Sequence, residues 1–387
     1  MTSSNVTTDS AGVDFRLDAE LEELRRRAND FAERELVPNA ELWDREARFP
    51  KEAIQKAARE GFLRMTIPAE YGGLAMSNLA GCILLEELNR GCASTGVTVS
   101  VHNSLFCAPV TKHGTEEQKA KYLPKMATGE WLGAYCLSEA GAGSDAAALR
   151  CAARRDGDDW VLDGAKLWIT SGSVADCFVV FARTSEHRTR GISAFLVEKA
   201  FPGCVVGKKE VKLGLRGSPT TEILLENCRV PAGNLLGEEG VGFKIALDTL
   251  DGGRLGIAAQ SLGILRAILE ATAVYVREHE DVAAQQRFHW KLADMATNLD
   301  AARLLTWSAA HLRDLGENCT AQSAMAKSFA SRMCNQAARD AVEICGADGG
   351  LDARSPVARF LRDARITEIY EGATDIQRLV IARSVLG

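Results

Sequence analysis

Trp131-Leu132-Gly133-Ala134-Tyr135-Cys136-Leu137 is the stretch at which the hydrophobic pattern of this 387-residue chain changes. Before it, apolar residues recur at steps of three and four. After it they come in short runs of strand-forming residues separated by turn signals. The runs are Trp131 to Leu137, Ala152 to Arg155, Trp160 to Leu162, Leu167 to Thr170, Cys177 to Phe181, Ser193 to Val197 and Thr221 to Leu225. Asp156-Gly157-Asp158 and Asp163-Gly164 read as turns between them. Such runs over about a hundred residues predict an antiparallel β domain, a sandwich or barrel, over residues 131–236.

Outward from that stretch the pattern is helical on both sides. Leu17, Leu21, Leu24, Ala28 and Phe31 make one apolar stripe on a helix that Pro38 is expected to end. Further helices are predicted over Glu52 to Gly61, from a Ser77/Asn78 cap through Leu88, over Ser94 to Cys107 (ending before Pro109), and over Glu116 to Ala127. Beyond Arg229-Val230-Pro231 the helical segments are Gly242 to Val276, Phe288 to Leu315, Ala321 to Cys345, Pro356 to Arg365 and Thr374 to Leu386. Long helices joined by short links build an antiparallel bundle. The expected fold class is therefore α+β and multidomain: an N-terminal α-helical domain over 1–130, the middle antiparallel β domain, and a C-terminal α-helical bundle over 237–387. Met1 to Gly12, rich in Ser and Thr, read as a flexible tail.

Composition narrows the function. A net charge of -6 argues against nucleic acid as the main partner. No apolar run reads as long enough to span a bilayer, so no membrane partner is expected. Eleven scattered cysteines without a C-x-x-C pair read as reduced, mostly buried thiols in a cytoplasmic protein. The six histidines show no metal-ligand spacing, so no metal is expected.

Four stretches hold candidate chemistry. Tyr135 to Asp145 runs a strand into a glycine loop, but it lacks the third glycine of a dinucleotide fingerprint and the glycines of a nucleophile elbow. Trp168-Ile169-Thr170 puts an aromatic and a hydroxyl two apart on a strand, suited to a flat heterocycle or simply to core packing. Leu250-Asp251-Gly252-Gly253-Arg254 sets two glycines inside a helix, at a cost of about 1 kcal/mol each. Close approach by a ligand or tight helix packing would explain them, and Asp251 and Arg254 have the spacing of an intrahelical ion pair. Finally, Arg362 to Gly372 ends in Tyr370-Glu371-Gly372 just before a helix, where a carboxylate can be aimed into a cleft or can merely favour the helix dipole.

Taken in order, these stretches resemble the acyl-CoA dehydrogenase family over essentially the whole chain. Lys212-Leu213-Gly214-Leu215-Arg216-Gly217-Ser218, Asp251 to Gln260 and Lys291-Leu292-Ala293-Asp294-Met295 add to the likeness. It is closest at Arg362 to Ala382, which looks like the short-chain (butyryl-CoA) branch. The resemblance implies a dimer or homotetramer with FAD between the β domain and the bundle. It places the catalytic base at Glu371, flavin contacts at Tyr135, Leu137, Ser138, Trp168, Ile169 and Thr170, and further cofactor contacts at Thr374 and Asp375. Acyl-pantetheine contacts fall on Ser144, Asp251, Gly252, Gly253, Arg254 and Gly372. The implied reaction is α,β-dehydrogenation of a short-chain acyl-CoA, with Glu371 taking the α-proton, flavin N5 the β-hydride, and an electron-transfer flavoprotein the electrons.

The chain departs from the family where the ADP end of FAD is expected. An acidic stretch, Arg277-Glu278-His279-Glu280-Asp281-Val282, stands where an Arg-x-Gln-Phe-Gly segment is usual. Glu343 replaces a Gln, Gly346-Ala347 a Gly-Gly pair, and Gly372-Ala373-Thr374 a Gly-Thr-Ser. These changes remove positive charge or donors that a pyrophosphate would use. Three other readings stay open: a subunit of a heteromeric dehydrogenase, a dehydrogenase of carrier-protein thioesters, and a non-redox homologue that kept the fold.

Overall fold

In the computed structural model, residues 16–387 are described; the tail expected over Met1 to Gly12 lies outside the described residues. Asp18 caps α1 (Ala19–Phe31) by accepting from Leu21 N at 2.8 Å. The chain then stays helical through a π turn at Ala32–Leu36 and a tight turn at Val37–Asn39 into α2 (Ala40–Arg45), so Pro38 does not end the helical run as expected. It occupies a first-turn position, where its missing N–H is tolerated. After α3 (Lys51–Arg59), Ser77 caps α4 (Asn78–Gly91). The stretch expected as one helix ending before Pro109 is α5 (Ala93–Val101), a π turn at His102–Cys107 and α6 (Ala108–His113), with Pro109 in the first turn of α6. A capping box of Thr115 and Gln118 starts α7 (Glu116–Thr128), and Gly129, at φ +70°, ends it.

The sheet contains β1 (Gly133–Cys136), β2 (Ala152–Asp156), β3 (Asp159–Thr170), β4 (Cys177–Arg183), β5 (Ile192–Glu198), β6 (Cys204–Lys209), β7 (Thr220–Val230) and β8 (Leu235–Leu236). Its order is β6-β7-β3-β2-β4-β5-β8, with β1 beside β4. Pairing is mainly antiparallel, as expected. β1 nevertheless runs parallel to β4, and β2 meets β4 in parallel at Ala152 and Arg183, which a uniformly antiparallel domain does not include. Asp163-Gly164 is not a turn: β3 runs through it with a register shift, and Gly164 adopts φ +148°. A Cβ there would stand 2.8 Å from Cys151 Cα. Trp160, Phe178, Val180 and Phe195 fill the core on one face.

Behind the sheet lie α8 (Gly242–Glu278), a short α9 (Glu280–Ala283), α10 (Gln286–Asp314), α11 (Thr320–Gly346), α12 (Pro356–Ala364) and α13 (Thr374–Leu386). Helix α8 packs on α4, α10 and α11. Gly263 lets α4 approach, since a Cβ there would stand 2.4 Å from Glu86 O. Charged pairs tie α4 to two of the bundle helices: Glu87 to Arg266 of α8 at 2.6 Å, and Glu86 to Arg303 of α10 at 2.7 Å. Contrary to the sequence reading, α8 is long and apolar enough to cross a membrane by length and composition. Here 67% of its most apolar window is buried, and it is the core helix of the bundle.

Candidate active site

Between α12 and α13 the chain makes a tight turn at Arg365–Glu368 and then presents Tyr370-Glu371-Gly372. Glu371 has φ +50° and Gly372 φ +92°. Left-handed backbone is uncommon for a residue with a Cβ and persists when its surroundings hold it. Three elements hold this one. Tyr370 donates its hydroxyl to Gln260 on α8, while Lys327 Nζ on α11 and Gln377 Nε2 on α13 donate to Gly372 O at 2.7 and 2.8 Å.

The turn aims the carboxylate at α8, not along the dipole of α13. A Cβ on Gly253 would stand 1.9 Å from Glu371 Oε2, so that glycine is the space the carboxylate occupies. This accounts for one residue of the costly glycine pair; at Gly252 a Cβ would meet the Arg313 guanidinium, with Nη2 nearest at 3.3 Å. Glu371 Oε2 is shut off from solvent and has no hydrogen-bond partner in the protein. Desolvation raises the carboxyl from 4.5 to about 7, opposed by the charges of Lys327 and then Arg254. Arg254 is itself buried and paired with Asp251, as the sequence spacing suggested, and Thr320 Oγ1 donates to Asp251 Oδ2 at 2.9 Å.

That shift has a thermodynamic cost. Below about pH 4.5 the carboxyl is protonated in both folded and unfolded chains and costs nothing. As pH rises through about 7, the folded protein must ionise it in a dry site, whereas the unfolded chain has already done so. Glu371→Gln is therefore expected to gain stability relative to the parent between about pH 5 and about pH 8, by on the order of 3 kcal/mol. Denaturant unfolding of both proteins at the two pH values measures this, and a pH-independent difference would contradict it.

A second group of predicted residues forms a ledge at the sheet. Tyr135, on β1, is buried with its ring edge-on to Phe181, 5.0 Å between centroids. Its phenol is pushed well above its ordinary value by burial and then by the Glu371 charge, which places the two within electrostatic reach. The strand continues into buried Leu137 and half-buried Ser138, whose carbonyl accepts from Leu167 N at 2.9 Å. Lys166, fully buried, bonds Leu137 O at 3.2 Å and pairs with Glu139 at 2.6 Å. The glycine loop is thus tied to β3 just ahead of Trp168. Trp168 is 61% exposed at φ +61°, and Thr170 is half-buried. The core-packing alternative for the indole does not hold; it is Ile169, between them, that enters the sheet core. With that side chain in the core, only the main chain of Ile169 is left to meet a ligand, and its carbonyl already accepts from Gly172 N at 3.2 Å.

Other expected site residues lie apart from this cluster. Ser144 is exposed on the glycine loop, next to Asp145, which Arg188 holds at 2.8 Å. Thr374 bonds Glu368 O at 3.3 Å, and Asp375 is exposed and paired with Arg378. Lys327, Gln260, Gln377 and Lys166 escaped the sequence reading. The available signal was a lysine set among Ala324, Ala326 and Ala330, where a solvated face would carry more polar residues.

Models of the acyl-CoA dehydrogenase N-terminal, middle and C-terminal domains match residues 18–130, 134–228 and 240–386. The short-chain specific acyl-CoA dehydrogenase of Rattus norvegicus mitochondria is 48% identical over 368 residues, 94% of this chain and 89% of that protein. The butyryl-CoA dehydrogenase structure from Megasphaera elsdenii superposes with a TM-score of 0.94 at 38% identity, covering 97% of this chain and all of that one. A chain from the structural work on the electron transferring flavoprotein of Acidaminococcus fermentans does so with a TM-score of 0.94 at 42% identity, covering 96% and 99%. With all three domain models matched in order and nearly half its residues shared with a short-chain specific member, the chain belongs to the acyl-CoA dehydrogenase family, in its short-chain branch.

Proposed function

We propose that this protein dehydrogenates short-chain acyl-CoA thioesters with FAD, Glu371 removing the α-proton. One observation carries the reading: a carboxylate oxygen sealed from water, without a protein partner, held against Gly253 by a left-handed turn. An isolated thioester α-hydrogen is far too weak an acid for an ordinary carboxylate. Raising the base towards neutrality narrows the gap, and donors at the thioester oxygen stabilise the developing charge.

The ledge fits a flavin. An indole held off the sheet on strained backbone, with a half-buried threonine two residues on, offers an aromatic face and a hydroxyl to a flat ring system. Tyr135, Leu137, Ser138, Trp168 and Thr170 would hold the ring, with the Ile169 main chain. When bound, FAD supplies the oxidation, taking up the β-hydride at N5. Asp251, Gly252, Gly253, Arg254, Gly372 and Ser144 would seat the acyl-pantetheine arm, with Thr374 and Asp375 towards the rest of the cofactor. An electron-transfer flavoprotein is the fitting acceptor. Large exposed apolar side chains on α10 and α13, among them Trp290, Leu304, Leu379 and Leu386, support a dimer or homotetramer.

At the expected ADP end, Lys291 is already neutralised, by Asp340 and by Glu343 at 3.0 Å. This pairing favours, as a second reading, a homologous partner chain that supplies the cations there; a second chain co-purifying in fixed ratio would support it. The primary test is anaerobic titration of the purified protein with butyryl-CoA. The visible flavin band should bleach with one crotonyl-CoA formed per FAD, and butyryl-CoA should outrank octanoyl-CoA in kcat/KM. A colourless protein that takes up no FAD overturns the redox reading, and a preference for octanoyl-CoA overturns the short-chain one.

A further inference from the structure

Lys327 stands midway along α11 on a face otherwise made of small side chains, Ser323, Ala324, Ala330 and Ser331. It is fully buried, and among the described residues no carboxylate lies within salt-bridge distance of it. Lys166, equally buried, has Glu139 at 2.6 Å. An ammonium without such a partner is costly to keep in a protein interior. Its hydrogen bond to Gly372 O, at 2.7 Å, falls on the residue that follows Glu371, and Gln377 reaches the same oxygen from α13.

On the reading that Glu371 is the base, we propose that Lys327 is its positioning residue. Tied to the Gly372 carbonyl, it sets the left-handed turn that aims Glu371 at Gly253, and its charge keeps the carboxylate ready to accept a proton in a dry pocket. The groups facing Glu371 are Arg254 from α8, Lys327 from α11, Tyr135 from β1, and Tyr370 on its own segment. Glu368 acts on Lys327 from the turn before. Arg254 is already paired with Asp251. The unpaired Lys327 is the cation whose effect on Glu371 is not shared with another carboxylate at contact distance.

Two variants divide the roles. Lys327→Gln keeps a donor for Gly372 O and loses the charge, whereas Lys327→Met loses both. Each FAD-loaded variant is mixed anaerobically with saturating butyryl-CoA across pH. The midpoint of the flavin-reduction profile is expected to move to higher pH by about one unit in both. At high pH the Gln variant should recover the parent rate while the Met variant stays about tenfold slower, as a misaimed base requires. A midpoint unchanged in both variants overturns the proposal. So does failure of both to fold and load FAD, which would make Lys327 a packing group of the bundle. Glu371→Gln in the same series separates the two readings. If it reduces flavin at the parent rate, the base assignment falls; if it is inactive while the Lys327 variants keep the parent midpoint, only the positioning role falls.

Discussion

Glu371→Gln is expected to keep FAD and thioester binding close to those of the parent and to slow flavin reduction by butyryl-CoA about 10²–10⁴-fold. The substitution preserves shape. Because Oε2 has no hydrogen-bond partner in the protein, no bond to the rest of the chain is lost at that atom. What disappears is the proton acceptor. The effect should therefore appear in the reduction rate at saturating butyryl-CoA and not in KM, the pattern of an interaction made in the transition state. Anaerobic stopped-flow separates the two. Rapid reduction by a variant that binds normally would remove Glu371 from the chemistry.

Gly253→Ala is the second large effect, and it tests the geometry. The added Cβ would lie 1.9 Å from Glu371 Oε2, 2.9 Å from its Cδ and 3.3 Å from Leu105 Cδ2. The atoms in the way end a side chain, so the carboxylate moves and the backbone stays. Alanine also suits a helix better than glycine, by about 1 kcal/mol. The variant should fold at least as well as the parent. With its base displaced by an ångström or more, it should reduce flavin roughly 10²-fold more slowly. Denaturant unfolding alongside stopped-flow reduction measures both. Parent-like reduction would show that the pocket tolerates a methyl where the structure places the carboxylate.

The helix, sheet, helix order was legible because each region carries its own hydrophobic period over many residues. The stripe from Leu17 to Phe31 is an example. Local exceptions were harder. Asp163-Gly164 has turn chemistry, yet Gly164 serves a bulge inside β3. Edge strand β6 has no buried residue, and its apolar run, Cys204-Val205-Val206, is short and followed by Gly207 and two lysines. Pro38 and Pro109 fall at first-turn positions, where proline does not break a helix. In the site, Glu371 beside Gly372 and the Gly252-Gly253 pair were visible as oddities, but only the packed chain shows that one fills the space left by the other. Lys327 was legible only as a lysine among alanines, because a lysine in a helix reads as solvated until its burial is seen. Trp168 could be read either as core or as ligand platform, and its exposure removes the first of these.

Removal of the α-proton by Glu371 would leave its record in the position of solvent hydrogen in recovered substrate. FAD-loaded protein is held anaerobically with butyryl-CoA in deuterated solvent, without an electron acceptor, and the thioester is analysed for deuterium by carbon position. The parent is expected to place deuterium on Cα, and Glu371→Gln to do so at least about 10²-fold more slowly. Parent-rate exchange at Cα in the Glu371→Gln protein would mean that another group moves the α-proton.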